Sequence, residues 1–229
     1  MFVDIGKTMK IWAIIPAYNE ADDLAKFLVK IKKKNLSILV VDDGSADNTY
    51  QVAKKYSDIV IKNQKNFGKG LSLRKGIDHL VDNKYFDYLI TMDADGQHSP
   101  DDLDQFVDEA KQGSLFVIGN RMENPENMPK TRIVTNCFMS WLISKIVKQD
   151  IPDTQCGYRL IKREVIENLT IKTKKFEIES EMLINASKLG YPIKSIPIKS
   201  IYHKNVSSKI KPISDSFRFI KFILKLKDG

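Results

Sequence analysis

Four short apolar runs in the first hundred residues, each stopped by a polar loop, constrain the fold most. Residues 11–15 end at Pro16-Ala17-Tyr18-Asn19-Glu20, and residues 37–41 end at Asp42-Asp43-Gly44-Ser45. Residues 59–62 lead into Asn66-Phe67-Gly68-Lys69-Gly70, and residues 88–92 stop at Asp93-Ala94-Asp95-Gly96-Gln97-His98. Unbroken apolar runs of this length read as strands buried on both faces. Helical signals separate them. From Asp22, apolar residues at Leu24, Phe27, Leu28 and Ile31 mark a helix that closes in Lys32-Lys33-Lys34-Asn35, where the helix dipole favours cations. Further helices are predicted from Asp47-Asn48-Thr49, from Gly70 through Leu80, and from Ser99-Pro100. Alternating strands and helices build an α/β sheet that is mostly parallel and covered by helices. Right-handed crossovers bring each strand's following loop to one edge, where open α/β sheets bind ligands. Tyr18, Glu20, Asp43, Lys69, Asp93 and Asp95 therefore share a rim.

The run at 88–92 is the most specific of the four. It delivers two carboxylates at i and i+2, then Gly, an amide and an imidazole. Oxygen donors at a strand end suit Mg²⁺ or Mn²⁺, which take a few protein ligands and complete their shells with water and phosphate. By itself the segment also fits an ordinary acidic turn. Gly68-Lys69-Gly70 lacks the spacing and the Ser/Thr of a Walker A loop, and no Gly-x-Gly-x-x-Gly follows the first strand.

Charge divides the chain. Residues 1–120 hold 16 Lys and Arg against 18 Asp and Glu, and residues 121–229 hold 21 against 11, so nets of −2 and +10 make up the total of +8. A basic second half suits an anionic partner, whether phosphates, nucleic acid or a membrane surface, and also fits a solvated lysine-rich face. Cys137 and Cys156 have neither metal-ligand spacing nor a disulfide framework, and no apolar stretch of signal-peptide or spanning length occurs. A cytosolic protein without a spanning helix is the expectation.

Six blocks in order carry a resemblance: the four loops quoted above, then Gly119-Asn120-Arg121 and Asp153-Thr154-Gln155-Cys156-Gly157-Tyr158-Arg159. Together they resemble the inverting family 2 glycosyltransferases, in particular the branch making dolichyl- or polyprenyl-phosphate hexoses. The resemblance runs from residue 10 to about 210. It implies a GT-A nucleotide-sugar fold, an α/β/α sandwich over residues 10–212, with a nucleotide-binding half at 10–120 and an acceptor half at 121–212. Residues 1–9 would be a leader. It also implies that Pro16, Ala17, Tyr18, Glu20 and Asp43 hold the nucleoside, that Asp93 and its neighbour Ala94 face the nucleotide beside Lys69, and that Asp95 with Gln97 binds Mg²⁺ or Mn²⁺ on the diphosphate.

For the acceptor, Arg121 follows a predicted strand at 115–118 and Arg132 starts a helical pattern at 133–147. The resemblance makes them the residues that grip a polyprenyl phosphate, a task suited to Arg's planar fork. Asn136 stands where relatives often carry Ser. Glu179 occupies the place of a general base in members that glycosylate hydroxyls. A phosphate acceptor is already ionised, which leaves Glu179 a role in orienting groups or balancing charge, or simply in the first turn of a helix. Lys209, in Ser207-Ser208-Lys209, is the candidate phosphate contact of the C-terminal part.

From 213 to 226, Ser214, Arg218, Lys221 and Lys225 form one polar stripe on a broad apolar face. Residues 213–229 are thus predicted to form a basic amphipathic helix that lies on a membrane surface or packs on a membrane-protein partner or on the domain itself. The reading is a metal-dependent transferase peripheral to the cytoplasmic face of a membrane, moving a hexose from a UDP-glucose or GDP-mannose type donor to a polyprenyl phosphate. A hydroxyl acceptor on a lipid or polysaccharide is the alternative. A basic module for anionic lipid is more remote, and nucleic acid is not expected, because aromatic residues do not interleave with the basic ones.

Overall fold

The computed structural model describes residues 9–171, 173 and 177–201. Residues 1–8 of the predicted leader, Lys209 and the predicted helix at 213–229 lie outside the described residues.

The first half follows the predicted alternation closely. β1 (Ile11–Ala17), α1 (Ala21–Lys32), β2 (Ser37–Asp42), α2 (Thr49–Tyr56), β3 (Ile59–Lys62), α3 (Lys69–Asn83) and β4 (Tyr88–Thr91) come in order. A 3-10 turn (Pro100–Asp102) leads into α4 (Leu103–Lys111), and the Ser99 hydroxyl accepts the Asp101 N–H at its start. After these come β5 (Phe116–Asn120), α5 (Lys130–Val147), β6 (Arg159–Lys162), α6 (Arg163–Asn168), α7 (Glu177–Lys188) and β7 (Ile193–Pro197). All the strands join one seven-stranded sheet in the order β3-β2-β1-β4-β6-β5-β7.

The sheet is parallel except at β6, which runs antiparallel to both β4 and β5. This strand comes from the second half of the chain, so both halves contribute to one sheet. Consecutive residues of β1, β2, β4 and β5 are buried on both faces, with Ile14, Ile15, Leu39, Val40, Leu89, Ile90, Val117 and Ile118 fully enclosed. Filling that core is what fixes the register, because a slip by one residue would exchange the two faces of a strand.

The expectation that Pro16 ends the first strand needs correction. β1 runs on to Ala17, with Pro16 opposite Val41. Pairing with β4 stops at Ile14, so beyond that point β1 has a neighbour only on the β2 side. A residue without an N–H is tolerated where one edge is unpaired.

Candidate active site

Three loops at the strand ends are tied to one another. Asn19 adopts the left-handed conformation, its N–H donates to Ser45 Oγ, and its Oδ1 accepts the Ala46 N–H. The Glu20 N–H donates to Thr49 Oγ1, and Asp43 N–H donates to the Ala17 carbonyl. Asp43, 3 % exposed, accepts from Asn63 Nδ2 at 2.8 Å and from the Phe67 and Gly68 N–H groups at 3.0 and 2.7 Å. Gly44 lies so close to the Lys65–Asn66 backbone that a Cβ there would sit 2.5 Å from the Lys65 carbonyl carbon. Pro16, Ala17, Tyr18, Glu20 and Asp43 therefore come together as predicted, and Asp43 also organises the loop after β3.

The centre of the rim is a charge cluster. Lys69, at the first position of α3, places Nζ 2.5 Å from Asp93 Oδ1 and 3.2 Å from Glu179 Oε1. Burial disfavours the Lys69 ammonium, yet Asp93 and Glu179 together hold its pKa above the usual lysine value. Burial likewise works against the Asp93 carboxylate, and Lys69 more than offsets it, so Asp93 titrates well below the ordinary range. Asp95 goes the other way: burial, then the charge of Asp93, raises it to about 6. His98, 1 % exposed, accepts the Asp93 N–H on Nδ1 at 3.0 Å and stacks on Tyr158 at 5.0 Å. Burial lowers its pKa to about 4, so the ring is neutral and serves as an acceptor.

Asp95 and Gln97 lie on the loop after β4, where the Gln97 N–H donates to Asp95 Oδ1. Among the described residues no three His, Cys, Asp or Glu side chains gather to hold a metal by themselves. The donor set nonetheless fits Mg²⁺ or Mn²⁺. These are oxygen ligands, few in number, and Asp95 is a carboxylate whose ionisation is opposed by its surroundings, a penalty that a cation removes.

Arg121 and Arg132 both lie beside this centre. Arg121, 7 % exposed, makes a two-pronged pair with buried Asp153, Nε to Oδ2 at 2.7 Å and Nη2 to Oδ1 at 2.9 Å. It is a buried ion pair, not a surface one. Arg132 Nη1 reaches Gln97 Oε1 at 3.3 Å. Glu179, in the first turn of α7, faces Lys69.

Gly157 and Arg159 stand in the last of the six sequence blocks, which by itself gives them no role. Arg159 is fully buried and donates to the Cys156, Thr154 and Glu179 carbonyls, fastening the 153–158 loop to α7. A Cβ on Gly157 would come within 2.8 Å of Lys69 Nζ and 2.9 Å of both Asp93 oxygens, so any larger residue there would displace the tips of that ion pair. The sequence signal for Arg159 is its place in the Asp153–Arg159 block; the two apolar residues after it are too few to mark a strand, and its burial is tolerated because the carbonyls satisfy it.

Residues 12–170 match the profile described as Glycosyl transferase family 2. The chain belongs to that family. The glycosyltransferase is 31% identical over 96% of its length, and 96% of the relative's, to UDP-N-acetylglucosamine--dolichyl-phosphate N-acetylglucosaminyltransferase of Methanococcus voltae. It is 28% identical to the dolichyl-phosphate beta-glucosyltransferase of Dictyostelium discoideum, over 93% of this chain and 72% of that one. Its fold matches glucosyl-3-phosphoglycerate synthase of Mycobacterium tuberculosis, solved with Mn²⁺, UDP and glucosyl-3-phosphoglycerate, with a TM-score of 0.66. That match covers 92% of this chain and 76% of the other at 16% identity. The GT-A architecture expected of the glycosyltransferase is the one observed.

Proposed function

We propose that this family 2 glycosyltransferase moves a sugar from a nucleotide-sugar donor to a polyprenyl phosphate with inversion at the anomeric carbon. The observation that carries the reading is the bond from Arg132 to Gln97, 35 residues apart in sequence. It joins an acceptor-side arginine to the proposed metal loop, so a phosphate held by arginine would lie beside a diphosphate held at Asp95. Relatives named for transfer to dolichyl phosphate support the acceptor class.

In this reading Pro16, Ala17, Tyr18, Glu20 and Asp43 line the nucleoside end of the donor site, and Asp93, Ala94 and Lys69 its diphosphate end. Asp95 and Gln97 would hold a divalent cation, which when bound neutralises charge growing on the departing nucleoside diphosphate. Arg121 and Arg132 orient the acceptor phosphate, with Asp153 fixing the plane of the Arg121 guanidinium. The acceptor oxygen is already ionised and needs no proton removed. Glu179 therefore serves to balance and aim Lys69. A base role would require it to leave that ammonium.

The lipid part of the acceptor has support on α5. Val134, Phe138 and Trp141, 69, 49 and 56% exposed, share one face of α5 at spacings of four and three and leave an apolar stripe in the open. A cavity of about 640 Å³ opens beside Trp141, Ser144 and Lys148 at the far end of the helix. Among the described residues no helix is long and apolar enough to cross a membrane. We place the enzyme at a membrane surface, with α5 towards the lipid.

The test is transfer from UDP-N-acetylglucosamine, UDP-glucose and GDP-mannose to a short polyprenyl phosphate with Mn²⁺ or Mg²⁺, the product read by mass spectrometry. Asp95→Ala should lower turnover by about a thousandfold, the several kcal/mol a catalytic cation supplies, while the circular dichroism spectrum is unchanged. Full activity in that variant would sink the metal assignment. Transfer only to hydroxyl acceptors would sink the acceptor assignment and return Glu179 to the role of base.

A further inference from the structure

Phe67 is a large apolar side chain left 44% exposed in a loop that is otherwise firmly tied. Its own N–H and that of Gly68 both donate to Asp43, and Asn63, bonded to Asp43 and to Ser72, holds the segment from below. Gly44 closes against the backbone two residues earlier, where a Cβ would lie 2.5 Å from the Lys65 carbonyl carbon. The main chain on both sides of the ring is thus fixed by contacts that do not involve the ring. Lys65 Nζ lies 5.5 Å from the ring centroid, over one face. A rigid aromatic ring in the open offers a stacking surface with little conformational entropy to lose on binding.

Its place along the rim narrows the ligand. The bond from its N–H to Asp43 sets the ring by the end of β2, two strands from the carboxylates after β4 in the order β3-β2-β1-β4, while Lys69, two residues on, reaches Asp93. At about 4.8 Å per strand that is about 10 Å. A donor whose diphosphate sits at Asp95 and whose nucleoside runs along the Pro16–Glu20 and Asp43 loops brings its base to the β2–β3 end.

We propose that Phe67 is the platform on which the donor's nucleobase stacks. The proposal rests on the nucleotide-sugar reading above. Every base has a π-face, so the ring contributes affinity without choosing among bases.

Calorimetric titration of UDP, GDP and inorganic pyrophosphate, each with Mn²⁺, into the full chain and its Phe67→Ala, Phe67→Leu and Phe67→Trp variants tests it. Phe67→Ala and Phe67→Leu should bind whichever nucleotide the parent binds about ten- to a hundredfold more weakly, and Phe67→Trp should bind it about as tightly as the parent. Pyrophosphate affinity should not change in any variant, because it has no base. Unchanged nucleotide affinity in Phe67→Ala overturns the proposal and leaves the donor reading standing. An equal loss for pyrophosphate overturns it too, by showing that the loop and not the ring matters. A parent chain that binds neither nucleotide overturns the donor reading and this proposal together.

Discussion

The loops after β1, β2 and β3 bury carboxylates by one means, and the centre formed around β4, β6 and α7 by another. In the loops, Asp43 is satisfied by two backbone N–H groups and a side-chain amide, all neutral donors. In the centre, Asp93 and Glu179 face Lys69, and Asp153 faces Arg121. Neutral donors fix shape, and they are indifferent to what charge arrives nearby. Opposed charges sealed together respond to any ion that enters, since each is held in place by the other. The loops are therefore the part suited to recognising a nucleoside by outline, and the centre the part suited to receiving phosphates and a cation.

The largest expected consequence of that difference is in stability. Asp153→Asn leaves the Arg121 guanidinium buried without its counter-charge, a change that costs about 3–5 kcal/mol. Asp43→Asn turns one acceptor oxygen into an amide facing the Gly68 or Phe67 N–H, a lost bond and a buried polar mismatch worth about 1–3 kcal/mol. Urea unfolding of both variants compares them directly. Equal losses would mean that the Arg121–Asp153 pair is solvated enough to behave like the loops, and the contrast would fail.

A smaller effect is expected at Gly157. Gly157→Ala introduces a methyl group 2.8 Å from Lys69 Nζ and 2.9 Å from Asp93, and overpacking of this kind costs about 1–3 kcal/mol. Since the crowded groups are the charge pair itself, nucleotide binding should weaken more than stability does. Wild-type nucleotide affinity in a variant that is destabilised would show that the Lys69–Asp93 contact is not part of the donor site.

How much of this was readable from sequence follows the same division. The strands read at 11–15, 37–41, 59–62 and 88–92 were legible, to within two residues at their ends, because parallel strands buried on both faces are unbroken apolar runs. The β4 carboxylates and the Asp43 loop were legible because loops at the strand ends inherit their position from the strands. β6 was not legible, since Arg159-Leu160-Ile161-Lys162 is short and opens with a buried arginine, and nothing local says that it inserts antiparallel between β4 and β5. The Lys69–Glu179 contact spans 110 residues and has no local signature. Arg121 read as a phosphate ligand from its motif, but the Asp153 partner that aims it appears only when β5 and the 153–158 loop come together. The exposed stripe on α5 was missed because helical periodicity marks which residues share a face and not whether that face is covered.

The smallest effect, and the one that separates Asp95 from His98 on the loop after β4, is on the pH dependence of stability. Asp95 is raised to about 6 in the folded chain by burial and Asp93, so its contribution to stability is present below the ordinary carboxylate pKa and lost as pH rises through 6. His98 is lowered to about 4, chiefly by burial, so its contribution is present above the ordinary imidazole pKa and lost as pH falls through 4. Between pH 4 and 6 the two slopes have opposite signs, each at most about 1.4 kcal/mol per pH unit, the value for one proton. They largely cancel in the wild type. With chelator present, Asp95→Asn should leave the His98 slope exposed, so that its stability relative to wild type climbs with pH across this window. His98→Asn should do the reverse. Other titrating groups drop out of the difference between variant and parent, so urea midpoints at three pH values suffice. Parallel profiles for Asp95→Asn and wild type would mean that Asp95 already titrates normally, and the penalty on its ionisation that supports the proposed cation site would be absent.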